Sequence, residues 1–324
     1  MSLCIVRQFR GIEMCIARSE EHVTQIERVI RSWQAFKREL LRKDREREPA
    51  HCMFGLALGG GFARGLAHIG VLKVLEQENL RPDFVAGTSV GAILGAAYCS
   101  GLTAAELEQL TGSLRFRDFV RFTFSRYGFC SADRMDSLLT RLMKCQSFEE
   151  MRIPFAVAAT NIRSGDAVVF RTGKLCAAVR ASCAYPGMFP PVDVDGELYV
   201  DGMLGHAVPT TPLRTMGAEC VLGVYLNSNW VRMHPPRHMF DVITQCFNIA
   251  QTRMSESWRK DANLVIEPDV NGFAYDCFDR APELIRSGED AMRAALPDLK
   301  RALGLSETPT LVPSVQDKEL QLPM

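Results

Sequence analysis

Apolar positions along this chain switch between two rhythms. Within residues 19–48, Val23, Ile26, Val29, Ile30, Trp33, Phe36 and Leu40 recur at spacings of three and four, the stripe of one amphipathic helix. Ser19 is its expected N-cap, and Glu20 and Glu21 suit the positive helix start. A charged run from Arg38 to Glu48, then Pro49, ends the pattern. After Met53, short apolar runs alternate with helical stretches. Strands are predicted at Met53–Leu58, Phe84–Ala86, Phe155–Ile162, Ala167–Arg171, Cys220–Leu226 and Leu264–Glu267. A further short strand ends at Tyr199-Val200-Asp201, after the turn Asp195-Gly196. Helices are predicted over Leu66–Asn79, Val90–Cys99, Asp241–Lys260 and Pro282–Leu303, with a capping box at Thr103-x-x-Glu106 opening another. Such alternation implies an α/β domain with a mainly parallel sheet covered on both faces. The expected organisation is a helical extension over 1–50, a main domain over 51–305 and a tail over 306–324.

Composition narrows the function classes. Of 324 residues, 38 are basic and 38 acidic, and 47% are hydrophobic. Zero net charge argues against a nucleic-acid binder, and the apolar fraction argues against disorder. The balance is uneven along the chain. Residues 1–50 hold 11 basic and 8 acidic side chains, so the extension carries +3 and the remainder −3. The extension is expected to pack on the main domain, on a copy of itself as a homo-oligomer contact, or on a membrane surface. Phe84 to Ala105 carries no charge, but its four glycines and its hydroxyl residues read as strand, tight turn and buried helix rather than as a membrane span. The eleven cysteines are scattered without a C-x-x-C pair, which points to reduced thiols in a cytoplasmic protein, with peripheral membrane contact as the alternative. No secretory signal is read at the N-terminus, where Arg7, Arg10 and Glu13 interrupt the apolar stretch.

Three motifs carry chemistry. Gly87-Thr88-Ser89-Val90-Gly91 lies between a predicted strand and a predicted helix, the setting of a nucleophile elbow. Gly87 and Gly91 leave room for neighbouring backbone, and the helix N-terminus favours negative charge building at Ser89. Gly59-Gly60-Gly61-Phe62-Ala63-Arg64-Gly65 also joins a strand to a helix, and its amides could face an anion. It fails the dinucleotide fingerprint at Arg64 and lacks the lysine of a P-loop. An oxyanion hole therefore fits better than a Rossmann reading through Asp83. Asp201-Gly202 supplies an acid at a strand end, which matters because a serine nucleophile needs a base.

Together, G-G-G-x-x-R-G, G-T-S-V-G and the distant D-G resemble the patatin-like phospholipases. The segment Val179-Arg180-Ala181-Ser182-Cys183-Ala184-Tyr185-Pro186-Gly187-Met188-Phe189-Pro190-Pro191-Val192 resembles the stretch that precedes that family's aspartate. The likeness spans roughly residues 53–270 and leans toward bacterial members related to the catalytic domain of neuropathy target esterase. It implies a three-layer α/β/α fold and a Ser89–Asp201 dyad that cleaves fatty acyl esters of phospholipids or lysophospholipids through an acyl-enzyme. It also implies an oxyanion hole at Gly59, Gly60, Gly61 and Arg64, with no metal or cofactor. Two positions depart from the family pattern: Met203 follows Gly202, and His206 stands where asparagine is common. Ser89, Asp201 and His206 also run in the chain order of a hydrolase triad. His68 reads as a helix residue packed near the glycine loop. The alternatives are an acyltransferase using the same acyl-serine and an inactive regulatory homologue acting through its N-terminal helix. Arg115 to Phe129 interleaves four arginines with aromatics, read as a packed helix with solvated arginines or as a lid or interfacial patch.

Overall fold

The computed structural model describes residues 52–112, 115–123, 126–131, 133–227, 235–236 and 239–305. The helix expected over 19–48, the 306–324 tail, Cys4, Cys15, His234 and His238 lie outside the described residues. The chain divides into two units, Met1–His51 and Cys52–Met324, and only the second is described below.

Its centre is an eight-stranded sheet. Strands β1 (Phe54–Leu58), β2 (Phe84–Thr88), β3 (Arg121–Phe122), β4 (Cys130–Ser131), β5 (Phe155–Asn161), β6 (Ala167–Phe170), β7 (Val192–Val194), β8 (Glu197–Asp201), β9 (Cys220–Val224) and β10 (Leu264–Ile266) follow in chain order, with β3 and β4 forming a separate hairpin. Parallel pairing joins β10 to β9, β9 to β1, β1 to β2 and β2 to β5. The antiparallel strands β6, β7 and β8 attach through β5.

Side-chain size alternates along the strands and sorts the two faces. Phe54, Leu56 and Leu58 of β1 enter one large core with Val85, Phe155, Val157 and Leu222. Ala57, Ala86, Ala156 and Val221 point to the other face. Helices α1 (Ala67–Gln77), α2 (Val90–Cys99) and α9 (Ala281–Ala302) supply apolar side chains to the first face. On the second face, small residues let helix α7 (Thr210–Met216) come close, with Leu213 packed over Ala57 and Ala86 and Trp258 from α8 (Met239–Arg259) beside it. The result is the expected three-layer arrangement. Helices α3 (Ala104–Thr111), α4 (Phe116–Phe119), α5 (Asp133–Leu142) and α6 (Leu175–Ser182) complete the described set. The capping box forms as predicted, with Thr103 Oγ1 accepting from the Glu106 amide and the Glu106 carboxylate accepting from the Thr103 amide.

Residues 115–129 do not form the packed helix read as one possibility. A four-residue helix gives way to the β3–β4 hairpin. Aromatic positions there fall at mixed spacings of two and three, so no single helical face exists to bury. At Gly128 a Cβ would sit 2.8 Å from the Phe189 backbone, so the chain passes close instead of coiling. No described helix is long and apolar enough to cross a membrane. The nine described cysteines are free.

Candidate active site

Ser89 sits between β2 and α2 with φ 55° and ψ −123°. A positive φ strains a non-glycine residue by about 1–3 kcal/mol, so the surrounding packing must hold it. Gly87 and Gly91 make the turn possible. A Cβ at Gly87 would lie 2.4 Å from the Gly91 carbonyl oxygen, and one at Gly91 would lie 2.2 Å from the Leu58 carbonyl oxygen. The Ser89 amide donates to Ser182 Oγ at 2.8 Å.

Asp201 meets Ser89 through β5. Thr88 pairs with Ala158, and Asp201 pairs with the next residue, Ala159. β6 occupies the opposite edge from Val157 to Thr160, so β2 and β8 end at successive stations on one edge. The Asp201 backbone is held twice: its amide donates to the Ala184 carbonyl at 3.0 Å, and its carbonyl accepts from Thr160 Oγ1 at 3.1 Å. Asp201 is fully buried. Its Oδ1 accepts the Met203 amide at 3.0 Å, while Oδ2 has no partner closer than a hydrogen-bond limit. Burial pushes its carboxyl up from 3.8 to about 7, against the opposing pull of the Met203 amide and the Ser89 hydroxyl. Asp201 is therefore a far better proton acceptor near neutral pH than an exposed aspartate.

The glycine loop runs alongside. A Cβ at Gly60 would rest 3.4 Å from Ser89 Cβ, so the loop lies against the serine. The expected donor set narrows here. The Gly59 amide donates to the Val224 carbonyl at 3.1 Å and the Gly60 amide to the Ala207 carbonyl at 3.3 Å. The first bond continues the β1–β9 ladder past its end. The Gly61 amide has no such bond, and neither does the Val90 amide at the first turn of α2. Arg64 is buried, and its Nε donates to the Gly61 carbonyl at 3.2 Å, which fixes the loop. Burial lowers its pKa.

The two histidines separate. His68 is fully buried, and its Nε2–H donates to the Gly59 carbonyl at 2.8 Å. Burial lowers its pKa to about 4, so the ring is neutral and acts as a brace. His206 contributes its backbone, whose carbonyl accepts from Thr88 Oγ1 at 2.7 Å. Burial lowers its pKa, and the charge opposing that shift is Asp261, not Asp201. Asp83 stands at the opposite end of β1 from the loop, where its carboxylate accepts the Phe54 amide at 2.6 Å.

The sequence marks two residues only as members of the segment that precedes Asp201, with no role assigned to either. Ser182, fully buried at the end of α6, braces Ser89. Cys183 borders both Ser89 and Asp201. Burial, reinforced by the Asp201 charge and opposed by the Ser89 hydroxyl, raises its thiol well above the usual range. Residues 182–184 thus bracket the pair, Ser182 holding the Ser89 amide and Ala184 holding the Asp201 amide.

A narrow, mostly apolar cleft starts at Ser89. Phe62, Ile93, Leu94, Met135, Leu142 and Phe189 line it, with Ser89 and Thr111 among the few polar groups. Its walls suit hydrocarbon. Among the described residues, no three His, Cys, Asp or Glu side chains gather as a metal site.

Residues 56–214 match the family model of patatin-like phospholipases. An uncharacterized NTE family protein of Mycobacterium tuberculosis is 34% identical over 177 residues, which is 54% of this chain and 49% of that protein. A lysophospholipase of Cryptococcus neoformans is 32% identical over 54% of this chain and 11% of its own length. The chain thus spans about half the length of the mycobacterial relative and a small part of the fungal one. Among solved structures, VipD from Legionella pneumophila has a similar fold at a TM-score of 0.50, with 12% identity over 77% of this chain and 67% of that one.

Proposed function

We propose that the chain, whose residues 56–214 match the patatin-like phospholipase family model, is a serine lipid acyl hydrolase of that family acting on fatty acyl esters of phospholipids or lysophospholipids. The observation that carries the proposal is the pairing of strained Ser89 with a buried Asp201 of pKa about 7 at the head of an apolar cleft. Ser89 Oγ attacks the ester carbonyl carbon, and its proton passes to Asp201. The carbonyl oxygen becomes an oxyanion facing the free Gly61 and Val90 amides at the positive end of α2. As the C–O bond breaks, Asp201 returns the proton to the departing alcohol. Water then attacks acyl-Ser89 with Asp201 again accepting a proton, and the fatty acid leaves with Ser89 restored.

His206 is assigned no part in these steps; its bond beside the elbow is made by its backbone carbonyl, which accepts from Thr88 Oγ1. The nine free thiols support a cytoplasmic location. A fluorophosphonate probe should label Ser89, as read by mass spectrometry of the digested protein. Ser89→Ala and Asp201→Asn should each abolish hydrolysis of a short-chain nitrophenyl ester, whereas His206→Ala should retain most of it. Full activity in Asp201→Asn would sink the dyad, and loss in His206→Ala alone would favour a triad.

A further inference from the structure

The arginine and aromatic segment left over from the catalytic reading has a specific position in the fold. Val120 lines the cleft, yet the next residues turn outward. Phe122 is 76% exposed, Tyr127 65% and Phe129 44%. The hairpin that carries them is bonded to the cleft wall. The Phe129 amide donates to the Gly187 carbonyl at 3.3 Å and the Cys130 amide to the Met188 carbonyl at 2.8 Å. Met188 and its neighbour Phe189 line the cleft.

The same loop also meets α8. A Cβ at Gly187 would lie 3.1 Å from Ile243 Cδ1. Beside Ile243, α8 turns an apolar stripe outward: Met239, Val242, Cys246 and Ile249 are all exposed and spaced three, four and three apart, one helical face. Exposed aromatic tips and an exposed aliphatic stripe therefore border one loop whose Met188 and Phe189 line one apolar cleft. Large apolar groups in such a contiguous setting mark an interaction surface.

Charge identifies the occupant. Residues 115–131 contain Arg115, Arg117, Arg121 and Arg126 against the single acid Asp118, a net +3 inside a domain that is otherwise acidic. Arg121 reaches Asp133 at 2.8 Å, and the Arg126 guanidinium lies 5.9 Å from the Tyr127 ring centre. Phenylalanine and tyrosine tips interleaved with arginines suit the boundary between acyl chains and anionic headgroups.

We propose that the β3–β4 hairpin and the outward stripe of α8 form a docking rim that seats the cleft mouth on an anionic lipid surface. A chain drawn from the bilayer then enters the cleft without exposing its methylenes to water. The proposal rests on the reading that the cleft accepts an acyl chain.

The test is co-sedimentation of the full-length protein with vesicles of phosphatidylcholine alone and of phosphatidylcholine with phosphatidylglycerol. Binding should need the anionic lipid and weaken as salt rises. The double variant Phe122→Ser/Tyr127→Ser, and separately Met239→Ser/Val242→Ser, should each cut vesicle binding about tenfold or more. Both should hydrolyse a soluble short-chain ester at about the wild-type rate, which also reports that they fold. Wild-type protein that ignores both vesicles overturns the proposal. So do variants that sediment like the wild type, and so does a wild-type dimer that the same substitutions dissociate, since a second copy would then cover the rim. Ser89→Ala separates this from the catalytic reading. Vesicle binding without any wild-type hydrolysis would sink the hydrolase and leave the rim, and hydrolysis without vesicle binding would do the reverse.

Discussion

Asp201→Asn is expected to make the protein inactive and more stable at once, because a single proton governs both properties. Burial raises the Asp201 carboxyl from 3.8 to about 7. Between those two pH values the native protein keeps a proton that the unfolded chain has released. The resulting stabilisation is fully present below about pH 4 and is lost as pH rises through the window, levelling off above about 7. A shift of about three units, at about 1.4 kcal/mol each, makes the loss about 4 kcal/mol at most. Asparagine keeps the shape, its Oδ1 can still accept the Met203 amide, and it has no charge to desolvate. At about pH 8 the variant should therefore exceed the wild type by up to about 4 kcal/mol, or roughly 8–16 °C in Tm for a domain of this size. The assay is urea unfolding of both proteins at steps from about pH 5 to 8. The gap should be small at the acid end and widen toward neutrality, while wild-type kcat/KM rises over the same window to a plateau above about 7. A gap that is absent near pH 8, or that does not change with pH, refutes the account of Asp201 as a desolvated base.

The remaining expectations concern the elements around that pair. Ser182→Ala strands the buried Ser89 amide at a cost of about 1–3 kcal/mol; kcat for a short-chain ester should fall about tenfold or more with KM nearly unchanged, and Ser182→Thr, which keeps the hydroxyl, should restore most of it. Wild-type kcat in the alanine variant would remove Ser182 from any positioning role. Gly91→Ala drives a Cβ to 2.2 Å from the Leu58 carbonyl oxygen, so thermal melts should record a loss of several degrees or no soluble protein, and an unchanged Tm would show that the elbow can relax. Ile93→Trp fills the cleft beyond Ser89; across a series of nitrophenyl esters, kcat/KM for dodecanoate should drop about tenfold while acetate stays near the wild-type value, and an equal drop for both would place the acyl path elsewhere.

Local chemistry made much of this protein legible before any tertiary structure. The elbow needs Gly87 and Gly91 within four residues of each other, the capping box needs Thr103 and Glu106 at one fixed spacing, and β1 and α2 show their apolar character in ten residues or fewer. Such features depend on neighbours along the chain, so sequence carries them whole. Residues 115–129 were ambiguous for the same reason: mixed spacing offers no single local answer, and the hairpin there is held by bonds to Gly187 and Met188, distant in sequence.

The working state of the site belongs to tertiary structure alone. Ser89 and Asp201 face each other because β2 and β8 share one edge of β5, a consequence of β6 taking the other. Which glycine amides stay free follows from where Val224 and Ala207 present their carbonyls. The basicity of Asp201 comes from the burial around it, and Ser182 gains its role from a bond across 93 residues. Sequence determined which chemical groups were present and which turns they favoured. Desolvation, strand pairing and long-range hydrogen bonds depend on what surrounds a group in space, so only the folded chain decided which of those groups meet and how strongly each holds its proton.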